Sequence, residues 1–270
     1  MNILFIGGGN MAAAIIGGLI AGKWPPESLQ VVDVMPELPA ELERRFGIRA
    51  SANANTAAAA ADCIVFAVKP QHLRAAAQAL APAIRNQLII SIAAGIRCRD
   101  LARWLGAAAP IVRAMPNTPA LVAAGVTGLY AMPGVTAQQR DQAAQILGAV
   151  GITFWVDAES DLDAVTAVSG SGPAYVFYFI EALEQAAVEL GLSPEVARQS
   201  ALATFAGAVK LASSGDADPA TLRARVTSKG GTTERAIGML DNDAIKAAFA
   251  RAVRAAAERA AEMGDTLGKD

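Results

Sequence analysis

The amino-acid sequence predicts an α/β protein in two parts: a doubly wound, mostly parallel sheet, then an all-helical C-terminal domain. Three observations carry this. Short, fully apolar runs alternate with helical patterns from Asn2 to about Val156, as buried parallel strands and their crossover helices do. A glycine-rich segment, Gly7-Gly8-Gly9-Asn10-Met11-Ala12, joins the first apolar run to the first helical pattern. From Glu159 the period becomes helical and stays so. The boundary is expected near Asp157, giving domains at 1–157 and 158–270.

With 270 residues, 53% of them hydrophobic, the chain can bury the cores of one large or two moderate domains. A net charge of −2 with no long run of one sign offers no electrostatic footprint for nucleic acid. Cys63 and Cys98 have no metal-ligand spacing and are expected as buried thiols in a reducing compartment. Asn2 to Phe5 meets glycines at once, without a basic region or cleavage site, so no signal peptide is expected. No charge-free apolar run is long enough to span a bilayer. The expected location is the cytoplasm.

Taken in order, Asn2 to Ile6 is a strand and Ala13 to Ala21 a helix. Between them stands G-x-G-x-x-A. Gly7 allows the tight turn, Gly9 lets a pyrophosphate approach the backbone, and Ala12 permits close helix–strand packing. Ile6, Gly7, Gly8, Gly9, Asn10 and Met11 are therefore candidate cofactor-binding residues of a Rossmann-like domain. The next strand, Leu29 to Asp33, ends in an acid at the spacing of a ribose-binding residue. Asp33 would accept from a ribose hydroxyl and repel a 2′-phosphate, which favours NAD over NADP.

Glu37 to Phe46 reads as a helix, Ile48 to Ala50 as a short strand and Thr56 to Ala61 as an Ala-rich helix. Cys63 to Val68 is a fully apolar strand ending in Lys69-Pro70, and Pro70 suits the first turn of a helix to about Ala81. Leu88 to Ile92 is a strand opening into Ala93-Ala94-Gly95, Arg99 to Leu105 a helix, and Ile111 to Met115 a strand ending in Pro116-Asn117-Thr118-Pro119. Ligands of such sheets bind beyond the carboxyl ends of the strands. The small and proline-containing strand ends leave room there for a flat cofactor. Gly125 to Ala131 and Gly151 to Val156 should extend the sheet, flanking a helix from Ala137 to Val150 that Thr136 and Gln139 cap.

The second half reads as helices. Leu162 to Val168 is broken at Ser169-Gly170-Ser171-Gly172-Pro173, and a long helix follows from Ala174 to Leu190. Ser193-Pro194 and Asp218-Pro219 start two more helices, and Asp243 to Met263 closes the chain. The helix from Ala174 is apolar on more than one face, with Tyr175 to Ile180 unbroken. A partner subunit would bury it, so a homodimer through the C-terminal helices is expected. Between the last helices lies Val226-Thr227-Ser228-Lys229-Gly230-Gly231-Thr232-Thr233. Two glycines for a tight turn, then hydroxyls at a helix start, make a receptor for a small anion such as a carboxylate.

Few side chains are available for chemistry. The only histidine, His72, stands at a helix start and reads as solvated or capping; no cluster has zinc spacing, and neither Ser169 nor Ser171 has a histidine nearby in sequence. A nicotinamide enzyme needs less, because the cofactor supplies the hydride. From Gly172 to Leu190 there is no lysine or asparagine to act as base for a hydroxyacid. A cyclic imine, which takes hydride once protonated, fits better.

The chain resembles the pyrroline-5-carboxylate reductases over nearly its whole length. The resemblance rests on Gly7 to Met11, Ala67-Val68-Lys69-Pro70, Ser91 to Gly95, Arg113 to Pro119, Val168 to Tyr175 and, most specifically, Val226 to Thr233. It implies reduction of 1-pyrroline-5-carboxylate to L-proline, usually with NADPH, by a Rossmann domain and an interlocking helical dimerisation domain. In some members the dimers assemble into decamers. It also implies that Ser228, Gly230, Gly231, Thr232 and Thr233 hold the substrate carboxylate, and that Thr166 lies near the imine nitrogen as the catalytic residue. Ala94, Pro116 and Asn117 would border the nicotinamide, with Ala67, Val68, Lys69 and Pro70 also on the cofactor. Where the family often has a small hydroxylated residue this chain has Asp33, followed by Val34 and Met35, so NADP and NAD both stay open. The rival readings are another imine or hydroxyacid reductase on the same fold, and a non-catalytic nucleotide sensor. Because the Gly230-Gly231 loop belongs to the helical half, it is expected to reach the nicotinamide of a partner subunit.

Overall fold

The computed structural model describes residues 1–106, 109–215 and 217–269. Its first half is built on strands β1 (Ile3–Ile6), β2 (Leu29–Val32), β3 (Arg49–Ala50), β4 (Cys63–Phe66), β5 (Leu88–Ser91), β6 (Ile111–Met115), β7 (Gly125–Ala131) and β8 (Gly151–Trp155). They form one sheet in the order β3-β2-β1-β4-β5-β6-β7-β8. The helices between them are α1 (Asn10–Ala21), α2 (Glu37–Phe46), α3 (Ala54–Ala60), α4 (Pro70–Leu80), α5 (Cys98–Leu105) and α6 (Ala137–Gly148).

Alternation of side chains across the pleat divides the core in two. Ile3, Phe5, Cys63 and Val65 face one layer with Ile15, Ile16 and Leu19 of α1 and Ile146 and Leu147 of α6. Leu4, Ile6, Ile64 and Phe66 face the other with Leu73 and Leu80 of α4 and Leu101 and Trp104 of α5. Strands buried on both faces need apolar residues at every position, which is why β1 and β4 read as unbroken apolar runs.

Strands β3 to β6 pair in parallel, as expected. β7, however, runs antiparallel to β6, and β8 is parallel to β7. The link from β6 to β7 holds only a short 3-10 turn, Thr118–Val122. That is too little chain for a crossover, so β7 must fold straight back. Strands also stop short of the apolar pattern, among them β4 at Phe66 and β2 at Val32. Ala67, Val68 and Asp33 thereby fall in the loops at the carboxyl edge.

The helical part holds α7 (Asp161–Val165), α8 (Gly172–Glu189), α9 (Pro194–Ser213), α10 (Pro219–Arg225), α11 (Thr232–Asn242) and α12 (Ile245–Thr266). Ser193 and Asp218 cap α9 and α10 through their side chains, with proline at the first helical position of each. The chain divides into two compact units: Met1–Ser171 together with the chain from Ala255 onward, and Gly172–Arg254. In the second unit α8 packs on α9, and Tyr175 meets Phe249 edge-on at 5.5 Å. No residue of α8 is buried; Phe177 and Tyr178 are 65% and 68% exposed. Among the described residues, no helix is long and apolar enough to cross a membrane, and no group of three or more His, Cys, Asp or Glu could hold a metal ion.

Candidate active site

The glycine-rich turn sits at the carboxyl edge of β1. Gly7 has φ +104°, and a Cβ there would lie 2.7 Å from the Ala67 carbonyl oxygen. Only glycine lets the β1 and β4 loops touch in this way. Gly9 is the N-cap of α1, no side chain caps that helix, and a Cβ on Gly9 would meet nothing within 4 Å. The first turn of α1, from Asn10 and Met11, is thus without a side-chain cap beside an open position, as a pyrophosphate site requires. The Gly8 amide is used otherwise: it donates to Asp33 Oδ2 at 2.7 Å, and Met35 N donates to Asp33 Oδ1 at 3.0 Å. Ile6 is buried, so it reaches a ligand through its backbone at most.

Three further loops share this edge. Lys69 is exposed and caps α4, with Pro70 at the first helical position. Gly95 has φ +70° and packs against Met263 and Leu267 near the end of α12, which backs the loop carrying Ala94. Pro116 is buried after β6. Asn117 follows, and both ends of its side-chain amide are committed: Nδ2 donates to the Ser169 carbonyl at 3.0 Å, and Oδ1 accepts from Val126 N at 2.8 Å. Asn117 thus acts here as a brace between loops.

The expected break after Val168 is instead a π-helical turn, Thr166–Gly170, that carries α7 on to Ser171. Ser171 N donates to the Thr166 carbonyl at 2.8 Å, five residues back. A π turn leaves a carbonyl without its usual partner, and Asn117 satisfies one of them, that of Ser169. A Cβ on Gly170 would come within 2.7 Å of Met115 Cε, so glycine lets the turn close on β6. Thr166 Oγ1 donates to the Leu162 carbonyl at 2.6 Å. Its hydrogen is spent inside the helix, and what it can still offer a ligand is an acceptor.

Sequence reasoning missed the charges that hold this turn. Arg97 makes two hydrogen bonds to Asp163, at 3.2 and 2.8 Å. Burial works against the Arg97 charge, but the bonds to Asp163 and its charge outweigh it and raise the guanidinium pKa. Glu159 Oε1 accepts from Cys98 N at 2.7 Å and pairs with the buried Arg113 at 3.2 Å. Both cysteines are free and buried, and burial pushes both thiols up.

In the second unit the expected anion loop precedes α11. Gly230 has φ +75°, the reason for glycine there, and Gly231 is the N-cap. Two of the expected donors are already engaged. Gly230 N donates to Glu234 Oε2 at 2.7 Å, and Gly231 N donates to the Ser228 carbonyl at 3.1 Å. Gly230 and Gly231 therefore shape the loop, while the donors left for an anion are the Thr232 and Thr233 amides and the hydroxyls of Ser228, Thr232 and Thr233. The Thr227 hydroxyl is turned inward to the Arg223 carbonyl at 2.7 Å.

Comparison with known proteins decides between the readings of this arrangement. Residues 159–263 match the family model for pyrroline-5-carboxylate reductase dimerisation, and residues 2–95 match that for coenzyme F420-dependent NADP oxidoreductases. The chain is 48% identical over 269 residues to the pyrroline-5-carboxylate reductase of Pseudomonas aeruginosa, covering 99% of this chain and 98% of that protein. The chain belongs to the pyrroline-5-carboxylate reductase family. A solved pyrroline-5-carboxylate reductase from Coxiella burnetii superposes with a TM-score of 0.92 at 40% identity, covering 97% of this chain and 98% of that one. The Plasmodium falciparum pyrroline carboxylate reductase, solved with NADP bound, gives 0.87 at 30% identity and 98% of both chains. Membership of the pyrroline-5-carboxylate reductase family makes the N-terminal part a Rossmann-like domain for NAD(P)H and the helical part a dimerisation domain.

Proposed function

We propose that this chain reduces 1-pyrroline-5-carboxylate to L-proline with hydride from NAD(P)H, the last step of proline synthesis. The observation that carries the reading is the 48% identity to a curated pyrroline-5-carboxylate reductase along the full chain, which spans both glycine-rich segments. The open space above Gly9 and the uncapped start of α1 fit the cofactor's pyrophosphate.

When bound, a reduced nicotinamide supplies the hydride that C5 of the protonated imine accepts while the C=N π pair moves to nitrogen. Gly7 and Gly9 admit the pyrophosphate to the first-turn amides of α1. The loops at Ala67 to Pro70, at Ala94 and at Pro116 border the rest of the cofactor. The Thr232 and Thr233 amides, with the hydroxyls of Ser228, Thr232 and Thr233, receive the substrate carboxylate. Thr166, left as an acceptor by its bond to Leu162, takes the N–H of the protonated imine and holds the nitrogen without a general acid.

In this reading residues 1–157 serve the cofactor, and residues 158–270 bind substrate and form the dimer. The carboxylate loop serves the nicotinamide of a partner subunit. Further assembly to decamers and a cytoplasmic location belong to the same reading. Spectrophotometric assay of NAD(P)H oxidation against a panel of cyclic imines and hydroxyacids tests it. Turnover is expected with 1-pyrroline-5-carboxylate; turnover confined to hydroxyacids, or cofactor binding with no turnover at all, would overturn it.

A further inference from the structure

We propose that Asp33 sets cofactor choice in this chain, so that NADH is bound in preference to NADPH. The inference rests on the dinucleotide site at Gly7 to Met11 and deepens it. Asp33 stands just past β2, where the ribose of the adenosine half of a dinucleotide lies in this fold. Its carboxylate is fixed: Oδ2 accepts from Gly8 N at 2.7 Å and Oδ1 from Met35 N at 3.0 Å. Each oxygen keeps a second lone pair, so the group can still accept from a ribose hydroxyl. It has nothing to donate to a phosphate.

The side chains next to it in sequence do not offset that charge. Val34 and Met35 are exposed and apolar, and Glu37 adds a second carboxylate. From Ser51 to Asn55, past the adjacent strand β3, there is no lysine or arginine. Lys69 follows β4, two strand spacings from β2 or roughly 10 Å. A 2′-phosphate beside Asp33 would meet like charge and no guanidinium fork to hold it. A free 2′-hydroxyl would meet an acceptor already in place.

The test is calorimetric titration with two probes that differ only in this phosphate, 5′-AMP and adenosine 2′,5′-bisphosphate, alongside fluorescence titration with NADH and NADPH. The wild-type chain should bind AMP and NADH at least about tenfold more tightly than their 2′-phosphorylated partners. Asp33→Asn, which keeps one acceptor for Gly8 or Met35 and removes the charge, should shrink that ratio. Asp33→Ser with Met35→Arg should reverse it. Tighter binding of the 2′-phosphorylated probes by the wild type would overturn the inference, as would an unmoved ratio in Asp33→Asn that retains the native circular dichroism. Failure of every nucleotide to bind would instead overturn the dinucleotide site itself, and this inference with it.

Discussion

The side-chain amide of Asn117 donates to the backbone carbonyl of Ser169 across 3.0 Å, while its oxygen accepts from Val126 N. One buried side chain thus joins the β6–β7 loop to the π turn that carries Thr166. Asn117→Ala should leave both backbone groups unpaired, at about 1–3 kcal/mol for each. The turn should loosen, and kcat should fall roughly ten- to hundredfold as Thr166 loses its position. Asn117→Asp keeps the acceptor for Val126 and loses only the donor to Ser169, so it should melt between the two. Thermal melts and initial rates check both variants.

The Arg97–Asp163 pair clamps α7 to the segment before α5, with both side chains nearly buried. Asp163→Ala leaves the nearly buried Arg97 guanidinium without its two-bond partner, with the charges of Glu159 and Asp265 offsetting part of the loss, and should cost about 3–5 kcal/mol. In a chain of this size that lowers Tm by roughly 6–15 °C. Replacing both partners with apolar residues of similar volume should recover much of the loss, because no charge is then left unpaired. A calorimetric double-mutant cycle measures it.

Much of the fold is legible because its signals are local. The Gly7 to Gly9 turn and the acid at Asp33 lie one strand–helix–strand unit apart, and Pro70, Ser193 and Asp218 mark helix starts within three residues. The π turn was not legible, since Thr166 to Gly170 reads equally as a helix end before a glycine pair. What makes it a π turn is Asn117, 52 residues away from Ser169. The same holds for Arg113 with Glu159 and Arg97 with Asp163, separated by 46 and 66 residues. The reversal of β7 was readable in principle from the short link after β6. So was the bond from Gly230 to Glu234, only four residues on, which takes the Gly230 amide out of the set expected to hold the carboxylate.

Cys63 and Cys98 carry a pH signature. Burial raises both thiols above their ordinary value of 9.0. Below pH 9 folded and unfolded chains hold the same thiol protons, and these groups leave stability unchanged. Above it the unfolded chain loses protons that the folded chain keeps. Stability should therefore fall with rising pH, by about 1.4 kcal/mol per pH unit for each thiol. Replacing both cysteines with alanine should flatten that slope in urea melts, and in the native wild type neither thiol should react with an aromatic disulfide reagent.

The exposed Phe177 and Tyr178 of α8 should lie in the dimer interface. Phe177→Asp with Tyr178→Asp places two charges in an apolar patch, where losing one anchor already costs about 2 kcal/mol or more. Light scattering should show the wild type as a dimer or larger and the variant shifted towards monomer. A monomeric wild type would contradict the expectation.

The central claim is that the loop before α11 holds the substrate carboxylate through Thr232 and Thr233. Thr233→Val keeps the shape and removes one hydroxyl. Losing a hydrogen bond to a charged group costs about 1.5–3 kcal/mol, or roughly ten- to hundredfold. The most direct measurement is the KM of this variant for 1-pyrroline-5-carboxylate, paired with its Kd for the reduced nicotinamide. A KM raised by that factor with an unchanged cofactor Kd is the predicted result, and a KM equal to that of the wild type would contradict the account.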